Sequence, residues 1–172
     1  DEILDLSALE RGERSWQNSP VDAEGALDRA VAVCDALLRQ KGMRVEFGER
    51  AYTTMVNGDG DRLCQVFINL ISNARKYCDA EAPELQIMVT DARGQLLVDF
   101  IDNGSGVAPE AQDVIFEKFA RVSDQKAGGA GLGLAISRQI VTRLGGEISY
   151  LADRGGAAFR VILPMRQEMA AQ

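Results

Sequence analysis

"INLISNARKYC", residues 68–78, sets Asn69 and Asn73 four apart inside a segment that otherwise predicts a strong helix, running from about Asp59 to Tyr77. At about 100° per residue, Leu63, Val66, Phe67, Leu70, Ile71, Ala74 and Tyr77 fall in one wide arc, the expected core face. Arg62, Gln65, Asn69, Asn73 and Lys76 form a separate polar stripe, on which Asn69, Asn73 and Lys76 project together at i, i+4 and i+7. Amide oxygens can ligate Mg²⁺, which prefers hard oxygen donors, and a lysine supplies point charge to phosphate. The stripe therefore has the chemistry of a metal and triphosphate wall, although for an isolated pair of asparagines simple solvation is the commoner explanation. Each asparagine costs a helix roughly half a kcal/mol relative to alanine, too little to decide between the two.

Outward from this helix, the periodicity predicts an earlier helix from near Asp22 to Gly42, followed by the strand-like stretches "MRVEF" and "TTMVN". "ELQIMVT" and "QLLVDFI" flank "DARG", and "GEISYL" and "AAFRVILP" flank "ADRGG", giving two hairpins. Further helical stretches are expected near 111–119 and 132–144. Hairpin-paired strands interleaved with helices imply an α+β fold, a two-layer α/β sandwich in which a mixed, mostly antiparallel sheet carries helices on one face. "DEILDLSALERGE" resembles the closing turns of a helix that begins upstream, so residues 1–14 are assigned to that helix and its linker and residues 15–172 to one domain.

The chain has 172 residues, 46% of them apolar and 26% charged, which suits a single globular domain. No apolar run has the length of a membrane span, and the opening residues lack the pattern of a signal peptide. A formal charge of −7 argues against a general nucleic-acid surface and confines any phosphate site to a local cluster. Cys34, Cys64 and Cys78 are odd in number and widely spaced, which indicates reduced packing residues and a cytoplasmic setting. The sequence contains no histidine, and so no imidazole base, nucleophile or phosphoacceptor.

Two more motifs bear on ligands. "VDFIDNGSGV" ends an apolar strand with Asp102 and continues into a turn with Gly104 and Gly106, where a ligand could approach the backbone closely. A carboxylate there would accept an exocyclic amine and repel a carbonyl oxygen, favouring adenine over guanine. An ordinary turn explains "DNGSG" equally well. "GGAGLGLAIS" places Gly128, Gly129, Gly131 and Gly133 at a helix entrance, where unpaired N–H groups favour an anion. The preceding "ARVSDQKAG" is too polar for the strand that a dinucleotide fold requires, and no lysine follows as a P-loop demands.

Taken in order, these segments resemble the ATP-binding domain of the sensor histidine kinases, within the GHKL ATPase superfamily and its Bergerat ATP-binding fold. "QVFINLISNARKYC" is similar to the asparagine box, "DNGSGV" to the first glycine box, "IFEKFARV" to the phenylalanine box, "GGAGLGLAIS" to the second glycine box, and "GGEISY" and "GAAFRVILP" to the terminal strands. The resemblance implies ATP and Mg²⁺ as ligands, with Asn73 on the metal and Asn69 and Lys76 beside the phosphates in the catalytic constellation. It implies that Asp102 meets the adenine amine beside Gly104 and Gly106, and that Gly129, Gly131, Leu132, Gly133 and Leu134 surround the phosphates. Phe116 and Phe119 would either anchor one end of a lid over roughly 120–129, which offers Arg121 and Lys126 as cations, or serve as core residues. Tyr77 either lines the nucleotide pocket or is partly buried. Cys78 stands where the family commonly has threonine, and Ala130 where a small hydroxyl residue is frequent, each removing a polar contact that nucleotide could make.

In hydrolysing members of the superfamily a glutamate stands four residues before the metal asparagine; here that residue is Asn69, and an amide cannot act as a base. The resemblance therefore implies a domain that presents the γ-phosphoryl of ATP to a histidine on an upstream dimeric hairpin, and that does not label itself on histidine alone. The implied partners are that hairpin and a response regulator receiver domain. A homodimer is expected when full length, with neither nucleic acid nor membrane contacted by this segment. An inner-membrane anchor elsewhere in the full-length protein is left open. An anti-sigma-factor-like serine kinase and a regulatory nucleotide-binding module without kinase activity are the alternatives.

Overall fold

Asp22 ends a short strand, β1 (Ser19–Asp22), and caps helix α1 (Ala23–Lys41) by accepting the Glu24 N–H at 3.1 Å. Helix α1 stops at Gly42, whose φ of 74° lets its N–H and that of Met43 return to the carbonyls of Arg39 and Leu38. These elements belong to a computed structural model that describes residues 16–51, 53–117 and 133–166. Strands β2 (Arg44–Phe47) and β3 (Met55–Gly58) follow, and Asp59 then caps helix α2 (Gly60–Tyr77) through the N–H groups of Asp61 and Arg62. The remaining elements are β4 (Glu84–Ala92), β5 (Gln95–Asp102), helix α3 (Gly133–Arg143), β6 (Glu147–Tyr150) and β7 (Ala158–Pro164).

The main sheet runs β2-β4-β5-β7-β6, parallel only between β2 and β4, while β1 and β3 form a separate antiparallel pair. The α+β reading is thus borne out. Both expected hairpins form, β4 with β5 and β6 with β7. Arg93 and Gly94 turn the first with φ of 53° and 79°, the two successive positive values that a tight turn between right-twisted strands requires.

Period-2 alternation sends Leu85, Ile87 and Val89 of β4, Leu96, Val98 and Phe100 of β5, and Phe159, Val161 and Leu163 of β7 into one buried layer. Against it pack Leu63, Val66, Phe67, Leu70, Ile71 and Ala74, six of the seven residues of the α2 arc. Phe67 and Phe100 meet with ring centroids 5.7 Å apart. On the opposite face of the sheet, Arg160 donates to both carboxylate oxygens of buried Asp99, at 2.8 and 2.9 Å, across neighbouring strands. All three cysteines are buried and unpaired, consistent with packing residues.

Three expectations need correction. The stretch from 111 to 117 is not an α-helix: after a 3-10 turn at Pro109–Ala111, the bonds Val114 N–H to Ala111 and Glu117 N–H to Val114 all span three residues. Ile115 and Phe116, adjacent in this turn, are both buried. Arg62, placed on the polar stripe, is buried, with its guanidinium over the Trp16 ring at 5.5 Å. Tyr77, placed on the apolar arc, is 43% exposed at the last residue of α2. The upstream helix assigned to residues 1–14, the lid at 120–129, and Phe119, Arg121, Lys126, Gly128, Gly129, Ala130, Gly131 and Leu132 lie outside the described residues.

Candidate functional site

Helix α2 carries the asparagine stripe to the entrance of α3. The Asn69 amide nitrogen donates to the carbonyl of Gly133, the first residue of α3, and to the Ser137 hydroxyl, each at 3.3 Å. Gly133 presents open space where a side chain would be, and Leu134 is half-buried against the core. One turn further along α2, Asn73 is half-buried and makes no side-chain hydrogen bond among the described residues; Lys76 is half-buried and makes no ion pair among them. An amide and an ammonium withdrawn from bulk water without internal partners suit an external oxygen-rich ligand.

At the end of β5, Asp102 is only 5% exposed. Its Oδ1 accepts two backbone N–H groups, Gly104 at 2.8 Å and Ala157 at 3.1 Å, and Oδ2 accepts none among the described residues. Burial raises the Asp102 carboxyl above the ordinary aspartate range, outweighing the two amides that lower it; nearby Asp79 pushes it up and Lys41 pulls it down. The result is a desolvated carboxylate with one oxygen committed and one uncommitted.

Gly104 and Gly106 lie in the turn after β5, where the structure gives them a packing role. A Cβ on Gly104 would come within 2.9 Å of Asp79 Oδ1 and 3.2 Å of Asp102 Oδ1. Gly106 has φ of 82° and lies against Gly156 and the Tyr150 hydroxyl, which also accepts the Val107 N–H at 3.0 Å. Phe116 is buried edge-on to Phe159, centroids 6.0 Å apart, and Tyr150 meets the same ring at 5.4 Å.

Several residues that build this region were not singled out from sequence. Asn103 accepts the Glu84 N–H at 2.8 Å and donates to the Ala82 carbonyl at 2.9 Å, tying β5 to the loop after α2. Cys78 is buried with its sulfur 3.4 Å from Asn103 Oδ1. The residue at this departure from the family pattern thus bonds to the Asn103 turn. Gly156 and Ala157 wall the far side of Asp102. Paired glycines in "RGGAA" were the available signal, but they read equally well as a hairpin turn.

An amide and an ammonium without partners among the described residues on one helix, the start of α3 bonded to that helix through Asn69, and a desolvated aspartate at a strand end suit a nucleotide-binding class of domain. Comparison with known proteins is specific about which. Residues 58–167 match the family described as histidine kinase-, DNA gyrase B-, and HSP90-like ATPase, and the chain belongs to it. It is 31% identical over 173 residues to the signal transduction histidine-protein kinase BaeS of Escherichia coli (strain K12), covering 98% of this chain and 37% of that protein. It is 44% identical over 115 residues to the sensor protein KdpD of the same strain, covering 66% of this chain and 13% of KdpD. The chain thus spans well under half the length of these relatives. Among solved structures, full-length ShkA in complex with AMPPNP superposes with a TM-score of 0.82 at 27% identity, covering 98% of this chain and 35% of ShkA. The domain is the ATP-binding catalytic domain of the sensor histidine kinases.

Proposed function

We propose that this domain holds Mg-ATP between α2 and the Asp102 turn and presents the γ-phosphoryl to a histidine carried by another part of the full-length protein. The observation that carries this reading is the α2 stripe: Asn69 bonds to the start of α3, and Asn73 and Lys76 remain without side-chain partners among the described residues. Asn73 would hold the magnesium ion, which when bound supplies charge neutralisation to the phosphates. Lys76 adds positive charge on the same face, and the uncommitted oxygen of Asp102 receives the adenine amine. Gly129, Gly131, Leu132, Gly133, Leu134 and Lys126 complete the phosphate side, with Phe119 and Tyr77 beside the nucleotide.

No step needs a base in this chain, because an imidazole nitrogen attacks phosphorus with its own lone pair. Asn69, an amide, activates no water, so the bound triphosphate is conserved for transfer. The chain itself has no histidine to label. Residues 1–14 are assigned to the end of the helix of a dimeric phosphoacceptor hairpin and its linker, and a response regulator receiver domain takes the phosphoryl group onward.

Incubated alone with γ-labelled ATP, the chain should neither label itself on histidine nor release phosphate at ordinary enzymatic turnover. Addition of the histidine-bearing hairpin from the same full-length protein should produce acid-labile label on that partner. Asn73→Ala should lower magnesium-dependent ATP affinity roughly tenfold or more and remove the transfer. Robust intrinsic hydrolysis, or transfer that survives Asn73→Ala, would overturn this assignment.

A further inference from the structure

The turn that presents Asp102 is held by a residue from outside it. Asp79, just past the end of α2, accepts the Ser105 N–H on Oδ1 at 2.8 Å and the Ser105 hydroxyl on Oδ2 at 2.7 Å. Gly104, between Asp102 and Ser105, gives its N–H to Asp102 Oδ1 and has room for no side chain against Asp79. Asn103 adds a second tie from the same turn to Ala82 and Glu84. The loop at 78–84 thus bonds to Asn103 and Ser105, on either side of Gly104, while the other end of the loop continues α2, the helix of Asn73 and Lys76.

We propose that Asp79 is a positioning residue for adenine recognition: its paired bonds to Ser105 fix the turn so that Gly104 occupies Asp102 Oδ1 and the second carboxylate oxygen is kept for the nucleobase. This inference rests on the reading of Asp102 as the adenine acceptor. Asp79 does not touch nucleotide. Its hydrogen bonds from Ser105 hold its own carboxyl below the ordinary aspartate range, so it is an ionised acceptor throughout the neutral range. It acts by joining the phosphate-side helix to the base-side turn, two parts of the site that are separate in sequence.

The test is calorimetric titration of the chain with Mg-ATP and with magnesium tripolyphosphate, for the parent, Asp79→Ala, Asp79→Asn, Asp102→Ala and the Asp79→Ala/Asp102→Ala double variant. Asp79→Ala should weaken Mg-ATP about tenfold and leave tripolyphosphate affinity unchanged. Asp79→Asn, which retains an acceptor for the Ser105 N–H, should lose less. In the double variant the losses should not add, since Asp79 acts only through Asp102. Unchanged ATP affinity in Asp79→Ala, an equal loss of tripolyphosphate, or full additivity would each overturn the proposal. If Asp102→Ala itself binds ATP like the parent, the underlying reading of the base pocket fails and the proposal falls with it. Should Asp79→Ala melt below the assay temperature, Asp79→Asn with its circular dichroism checked decides on the same criteria.

Discussion

Asp102→Asn is expected to abolish the preference for adenine while leaving the domain at least as stable as the parent at neutral pH. The asparagine keeps an oxygen for the Gly104 and Ala157 N–H groups but puts an NH₂ where the second carboxylate oxygen was. A donor then faces the adenine amine, at a cost of about 1–3 kcal/mol, so Mg-ATP affinity should fall roughly tenfold to a hundredfold while Mg-GTP, whose base carries a carbonyl there, loses little. The stability expectation follows from the raised carboxyl. A group whose pKa is higher in the folded than in the unfolded chain favours folding below its unfolded value, and that contribution is lost as pH rises through the folded value. At pH 7 the ionised carboxylate is therefore a liability that the uncharged amide removes. In the parent, acidification should weaken ATP at a higher pH than an ordinary aspartate would require. Calorimetry with both nucleotides between pH 5 and pH 8, as about the useful range, together with thermal melts checks all three. Unaltered ATP binding in Asp102→Asn would remove this residue from the base pocket.

The second large effect is expected at Gly156, where alanine should both destabilise the fold and damage the base pocket. A Cβ there would fall on the Asp102 carbonyl oxygen, with the carbonyl carbon at 2.7 Å and Oδ1 at 2.9 Å. The obstacle is mainly the backbone of Asp102, whose N–H donates to the Ala157 carbonyl next along the chain from Gly156. Either β5 separates from the β6–β7 connection or the Ala157 N–H withdraws from Asp102. Overpacking of this kind costs about 1–3 kcal/mol and occasionally more, which for a domain of this size lowers the melting temperature by several degrees. Mg-ATP should weaken more than magnesium tripolyphosphate, because the phosphate side is built from other elements. A melting temperature and ATP affinity equal to the parent's would show that the connection yields without cost.

What was legible in the sequence is what periodicity and end signals encode. Asp22, Gly42 and Asp59 mark helix ends by their own local bonding, and the α2 arc repeats strictly enough to identify six buried residues. The hairpins were legible for the same reason, each with strands adjacent in sequence. The parallel β2–β4 pair and the β1–β3 pair were not, since neither has a turn joining its strands and β1 is four residues long with a proline. Residues 111–117 carry an apolar pattern compatible with an α-helix, and tertiary packing of Ile115 and Phe116 overrides it. In the site, Asn69, Asn73 and Asp102 stood out because their types are unusual at their positions. Asp79 and Ser105 did not, being ordinary loop residues 26 apart whose pairing exists only in three dimensions. Arg62 is buried and not on the polar stripe because a guanidinium can leave water when an aromatic face receives it, and Trp16, which receives it, lies far away in the chain.

Trp16 is the chain's single tryptophan, and its ring is met by the guanidinium of Arg62 on α2, 5.5 Å away, and by that of Arg143 at the end of α3, 4.4 Å away. The only strong indole fluorophore thus sits at the junction of the two helices that carry the asparagine stripe and the glycine entrance. Its emission is a built-in optical gauge of the spacing between those helices, readable without labelling or substitution.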